Sequence, residues 1–134
     1  MKVVIDTNVF ISGIFWEGNF CSKIIDALKD KKIQSICSLE IIEEIVKTLS
    51  TFRIQMDKQL INNWRDIIIE NSIMVRPSKK VNMVKDDPDD NKFIEAAIEG
   101  KAGYIISQDK HLLKIKEYEG IIIINPKDFI KILK

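Results

Sequence analysis

Lys2-Val3-Val4-Ile5-Asp6-Thr7-Asn8-Val9-Phe10 is the stretch that decides the fold. Val3, Val4 and Ile5 form an uninterrupted β-branched run, which suits a short strand covered on both faces. The run stops in a carboxylate, a hydroxyl and a carboxamide before apolar residues resume. Asp6 therefore lies at the carboxyl end of the first strand, where open α/β sheets bind their ligands. An aspartate in that place can also simply cap the next helix or make an Asx turn. A functional reading of Asp6 needs further acids arriving at the same edge.

The remaining composition sets bounds on what the chain can be. With 134 residues, 46% hydrophobic and 31% charged, it suits one folded domain over residues 1–134 with an ordinary core. Apolar runs such as Ile121 to Ile124 are too short to cross a bilayer, and Asp6 interrupts any N-terminal signal stretch. The expectation is a cytoplasmic protein without a membrane partner. Cys21 and Cys37 fit reduced, buried side chains and have no zinc spacing. A formal charge of +1 gives no global field toward nucleic acid. Local lysine groups (Lys29, Lys31 and Lys32; Lys79, Lys80 and Lys85; Lys110, Lys114 and Lys116) read as solvated surface that permits phosphate contact.

Outward from the first strand, Gly13 and Gly18 mark a loop carrying Trp16 and Phe20. Asn19 caps a helix through Lys29 with Cys21, Ile24, Ile25 and Leu28 on its apolar stripe, and Ile33 to Cys37 is a second strand. Ser38 caps a helix from Leu39 to about Leu49, whose buried face takes Leu39, Ile41, Ile42, Ile45, Val46 and Leu49. Glu43 and Glu44 fall at opposite margins of that face, and periodicity does not choose between them. A helix capped by Asp57, with Leu60, Ile61, Trp64, Ile67 and Ile68 on its stripe, leads to a short strand from Ile73 to Val75 and a basic loop over 78–84.

In Asp86-Asp87-Pro88-Asp89-Asp90-Asn91 the proline predicts Asp87 as N-cap and Pro88 as the first helical residue. Asp90 projects onto the middle of the stripe of Phe93, Ile94 and Ala97, and an inward carboxylate is costly unless paired, hydrogen-bonded or bound to a cation. Gly100 and Gly103 end this helix. Tyr104 to Ser107 is a strand, after which Asp109 repeats the placement of Asp6; it can equally cap the helix with Leu112, Leu113 and Ile115. His111 has no partner at metal-ligand spacing and reads as surface. Ile121 to Ile124 is a final strand, and Asn125-Pro126 starts a last amphipathic helix.

Alternating strands and helices predict a mainly parallel α/β sheet covered on both faces, with right-handed crossovers bringing the strand ends to one edge. Asp6 and Asp109 lie on that edge, and the helices beginning near Asp90 and carrying Glu44 start from it. Several carboxylates in one cleft repel each other unless cations neutralise them, and Mg²⁺ or Mn²⁺ suits oxygen ligands. Neither G-x-S-x-G nor G-x-x-x-x-G-K-[ST] occurs to offer other chemistry. A carboxylate-held metal serves phosphodiester hydrolysis.

Val-Val-Ile-Asp6-Thr7-Asn8-Val-Phe, Glu44-Ile-Val-Lys-Thr-Leu49, Asp87-Pro-Asp-Asp90-Asn-Lys-Phe and Ser107-Gln-Asp109-Lys-His-Leu-Leu, in that order, resemble the PIN-domain ribonucleases. The likeness is strongest to the prokaryotic subgroup described as toxin components of toxin-antitoxin systems, and it extends to the closing Ile-Asn-Pro-Lys-Asp-Phe. It implies a PIN-like three-layer sandwich and a Mg²⁺- or Mn²⁺-dependent endoribonuclease leaving 5′-phosphate and 3′-hydroxyl ends. Carried over, Asp6, Glu44, Asp90 and Asp109 form the metal-binding catalytic quartet, Asn8 and Ser107 orient carboxylates or waters, and Asp87 is a weaker neighbour. Glu44 rather than Glu43 is the family's position. Ser107-Gln108 departs from the threonine and glycine common in relatives but keeps the hydroxyl. An RNA substrate, an antitoxin partner and a homodimer are further implications. Two alternatives stand beside this one: an inactive PIN-like module that binds RNA or protein, and a haloacid dehalogenase-type phosphatase, whose chemistry wants an acid where Asn8 stands.

Overall fold

The N-terminal apolar run lies at the centre of the sheet. In the computed structural model, which describes residues 1–133, β1 (Lys2–Ile5) is flanked by β2 (Gln34–Ser38) on one side and β4 (Tyr104–Ile106) on the other. With β3 (Ser72–Val75), β5 (Glu117–Tyr118) and β6 (Ile121–Ile124), the order is β3-β2-β1-β4-β6-β5. All pairings are parallel except β5 with β6. Val3, Val4, Ile105 and Ile106 are wholly buried, as expected of strands covered on both faces.

Among the described residues seven α-helices flank the sheet: α1 (Thr7–Phe15), α2 (Phe20–Lys29), α3 (Leu39–Thr51), α4 (Lys58–Glu70), α5 (Asn91–Gly100), α6 (Lys110–Leu113) and α7 (Pro126–Leu133). α2 packs on α1 and α7, α3 on α1 and α4, and α5 on β1 and β2. The caps at Asn19 and Ser38 form as expected, accepting from the Ser22 amide at 2.7 Å and the Ile41 amide at 3.3 Å. None of the described helices is long and apolar enough to cross a membrane.

The chain departs from its sequence pattern in four places. The segment after Phe10 is helical through Phe15, and Gly13 sits inside that helix. A Cβ at Gly13 would lie 2.6 Å from Ile25 Cγ1 and 2.7 Å from the Cys21 carbonyl oxygen, so the glycine is there to let α1 and α2 cross closely. Gly100 likewise belongs to α5, where a Cβ would collide with the Ile36 side chain, and Lys101 takes the left-handed conformation (φ 56°) that ends the helix. Leu39 and Leu60 are exposed, because each buried stripe is narrower than the run of apolar residues that marks it. The two-residue β5 shows no periodicity; it is made by the turn at Glu119 and Gly120, both at positive φ, which folds it back on β6.

Segment 78–84 has no partner strand and is held by α5. Glu99 accepts from the Ser78 amide at 3.0 Å, Glu95 from the Val81 amide at 3.1 Å, and Asn91 from the amides of Met83 and Val84 at 3.0 and 2.9 Å. Positions 91, 95 and 99 recur at four-residue spacing on one helix face, so this row supplies the acceptors a sheet would otherwise provide.

Candidate active site

Strands step from β1 through β2 to β3, and the chain then returns to β4 on the other side of β1. That reversal opens a crevice at the carboxyl ends of β1 and β4, the position where such sheets bind ligands. Asp6 leaves β1 with its amide donating to the Ile106 carbonyl at 2.9 Å, and Ser107 leaves β4 with its amide donating to the Ile124 carbonyl at 3.0 Å. Asp6 is only 4% exposed.

Ser107 joins the two strand-end acids. Its fully buried hydroxyl donates to Asp6 Oδ2 at 2.6 Å and accepts from the Asp109 amide at 2.9 Å. Asp109 Oδ1 accepts from the amides of His111 and Leu112 at 2.7 and 3.4 Å, so this residue caps α6 with one oxygen while standing at the crevice. His111 is half-exposed and lies 3.4 Å from Asp86.

Asp90 arrives on a short 3-10 turn, Pro88–Asp90, closed by its amide donating to the Asp87 carbonyl at 3.0 Å. The α-helix proper begins one residue later, at Asn91, and Asp87 holds the N-cap position without a side-chain cap bond. Asp90 is half-buried rather than sunk in the core. One carboxylate oxygen from each of Asp87, Asp90 and Asp109 lies within 4.8 Å of the others. Asp87, expected as a lesser neighbour, thus belongs to the tightest group of acids, which contains neither Asp6 nor Glu44.

Electrostatics nevertheless link the four expected acids. Burial, opposed by the Ser107 hydrogen bond and reinforced by Glu44 and Asp109, pushes Asp6 up to about 6. Burial and the charges of Asp6, Asp87 and Asp109 push Asp90 up to about 7, against the pull of Lys92. Glu44 is half-buried and Glu43 exposed, and it is the charge of Glu44 that reaches Asp6. Asn8 is exposed, and among the described residues its side chain makes no hydrogen bond to the acids.

Lys92 has no role in the sequence reading. It is 4% exposed, and its ammonium forms an ion pair with Glu44 and donates to the Asp89 carbonyl at 3.0 Å and carboxylate at 3.1 Å. Burial works against its charge, but these contacts outweigh burial and raise its pKa. The signal was available in Asn91-Lys92-Phe93-Ile94-Glu95-Ala96-Ala97: a helix start apolar on several sides leaves its polar members buried and in need of partners.

The donor set fits a hard divalent ion. It offers carboxylate oxygens only, and burial together with the neighbouring acids holds Asp6 and Asp90 above the usual carboxylate range, where a divalent cation would relieve the repulsion. Where haloacid dehalogenase chemistry wants an acid, the chain carries the exposed amide side chain of Asn8.

Comparison with known proteins agrees with this architecture. The chain is 37% identical over 98% of its length to the uncharacterized protein MJ1680 of Methanocaldococcus jannaschii, 90% of which it covers. Its fold is similar to VapBC2 of Rickettsia felis bound to a promoter DNA fragment, with a TM-score of 0.63, 15% identity, and coverage of 93% of this chain and 98% of that one. It is also similar to FitAB bound to the IR36 DNA fragment, with a TM-score of 0.59, 11% identity, and coverage of 92% and 94%. A PIN domain family model matches residues 2–111, and the chain belongs to that family.

Proposed function

We propose that this protein is a metal-dependent endoribonuclease that hydrolyses RNA phosphodiester bonds and serves as the toxin of a toxin-antitoxin pair. The observation that supports this reading is that acids from separate elements act on one another's site: the charges of Glu44 and Asp109 reach Asp6, and those of Asp6 and Asp109 reach Asp90. Asp6, Asp90 and Asp109 would hold Mg²⁺ or Mn²⁺, with Glu44 as the fourth acid and Asp87 at the rim. When bound, such an ion supplies Lewis acidity, making water a better nucleophile and taking up charge on phosphate oxygens.

The protein's own groups provide placement. Ser107 fixes Asp6 and the Asp109 backbone through one hydroxyl, so neither needs to reorganise during the reaction. Uncompensated, the acids repel an RNA backbone. Lys85, His111 and Lys114 line a hollow beside Asp86 and offer cationic and hydrogen-bonding contacts to flanking phosphates. We take residues 1–134 as one PIN-like domain acting in the cytoplasm, as a homodimer restrained by an antitoxin protein. VapBC2 and FitAB, whose folds resemble this one, are each bound to a DNA fragment in their structures.

Cleavage of unstructured RNA tests the reading. Wild type should cut with Mn²⁺ or Mg²⁺ and leave 5′-phosphate ends, and Asp6→Asn and Asp90→Asn should each lose at least a hundredfold in rate. Cleavage that survives both substitutions overturns it.

A further inference from the structure

Glu44 is the one quartet member already bound to a cation. Its carboxylate meets the Lys92 ammonium, whose remaining protons go to the Asp89 carbonyl at 3.0 Å and the Asp89 carboxylate at 3.1 Å. An ammonium has three donors, and here all three are used. Lys92 is 4% exposed, so it has neither a spare proton nor a route by which to reach a substrate phosphate. The acids on the other side, Asp87, Asp90 and Asp109, group within 4.8 Å without Glu44. The crevice is thus divided between a lysine-filled corner of Glu44 and Asp89 and an acid-only corner of Asp87, Asp90 and Asp109.

We propose that Lys92 is a positioning residue that takes the place of a second divalent ion, so that the protein binds one metal ion per chain. The inference rests on the metal-dependent nuclease reading and narrows it. A buried ammonium is tolerated only beside anions, so Lys92 and Glu44 hold each other in place. Glu44 stands at a helix margin, free by geometry to turn to solvent, and Lys92 keeps it turned inward, where its charge still reaches Asp6. A fixed lysine charge also cannot be lost by dilution or chelation.

Counting Mn²⁺ by equilibrium dialysis and electron paramagnetic resonance tests this directly. Wild type should saturate at one ion per chain, and Lys92→Met, which keeps the length of the side chain and removes its charge, should saturate at two. Two ions on wild type, or one on a folded Lys92→Met variant, would overturn the proposal while leaving the nuclease reading intact; no ion on wild type would remove both. Should Lys92→Met not fold, a wild-type crystal soaked in Mn²⁺ decides. An anomalous peak at Asp90 and Asp109 with Lys92 still on Glu44 is expected, and a peak on Glu44 with the lysine displaced overturns it. A purely structural ion pair would not move the ion count.

Discussion

Asp90→Asn should make the metal-free protein more stable at pH 8. Burial, together with Asp6, Asp87 and Asp109, moves Asp90 from 3.8 to about 7, a displacement equivalent to about 4 kcal/mol between its two protonation states. Asp90 is only half-buried, so solvent screening reduces this, and about 2 kcal/mol is the figure to test. The raised value means that the fold favours protonated Asp90. This contribution is fully present below about pH 4 and is lost as pH rises through 7. Asparagine mimics the neutral form at every pH, and among the described residues the Asp90 carboxylate makes no hydrogen bond that the change would remove. Thermal unfolding in EDTA should show the variant melting about 6 °C above wild type at pH 8, with the gap closing toward pH 4. Adding Mn²⁺ should then stabilise wild type more than the variant, because binding to the folded state alone raises stability. A variant less stable than wild type at pH 8, a gap independent of pH, or equal metal effects on both proteins would refute the reasoning.

Ser107→Ala should cost about 2 kcal/mol in chemical denaturation, since it removes a hydrogen bond from each of two site residues. It should also raise the pH at which Asp6 ionises, because the Ser107 contact lowers that pKa; an Asp6 titration followed by NMR that stays at about 6 would contradict this. Gly13→Ala should destabilise by about 2 kcal/mol despite the better helix propensity of alanine, because its Cβ would meet the Cys21 carbonyl at 2.7 Å; a melting temperature equal to wild type would show that α1 and α2 can move apart.

How much of the site could be read from the sequence depended on whether a residue's role is local. Strands that stop in acids put Asp6 and Asp109 at one sheet edge, where either could also be a cap, and Asp90 stands out by projecting onto an apolar stripe. Glu44 is ambiguous from its own helix, because what separates it from Glu43 is Lys92 on another element. For Lys92, Asn91 and Glu95 the sequence signals burial but not the partners, which lie on α3 or in segment 78–84 and meet them only in the assembled fold. Gly13 and Gly100 read as breaks because glycine usually interrupts helices, whereas here each makes room for a neighbouring element. Asp87 reads as a cap, and the 3-10 turn aims it at Asp90 and Asp109 instead.

The row of Asn91, Glu95 and Glu99 makes segment 78–84 a zipper whose teeth are side chains rather than a second strand. Opening such a zipper breaks no strand pairing, though it exposes Val84, which is 2% exposed in the closed state. Detaching it would free the lead-in to Asp86 and Asp87 while leaving Asp6, Ser107 and Asp109 where they are. Hydrogen exchange at the amides of Ser78, Val81, Met83 and Val84 should therefore proceed as a group, and faster than in β1, loosening the approach to Asp87 while Asp90 stays on its turn at the start of α5.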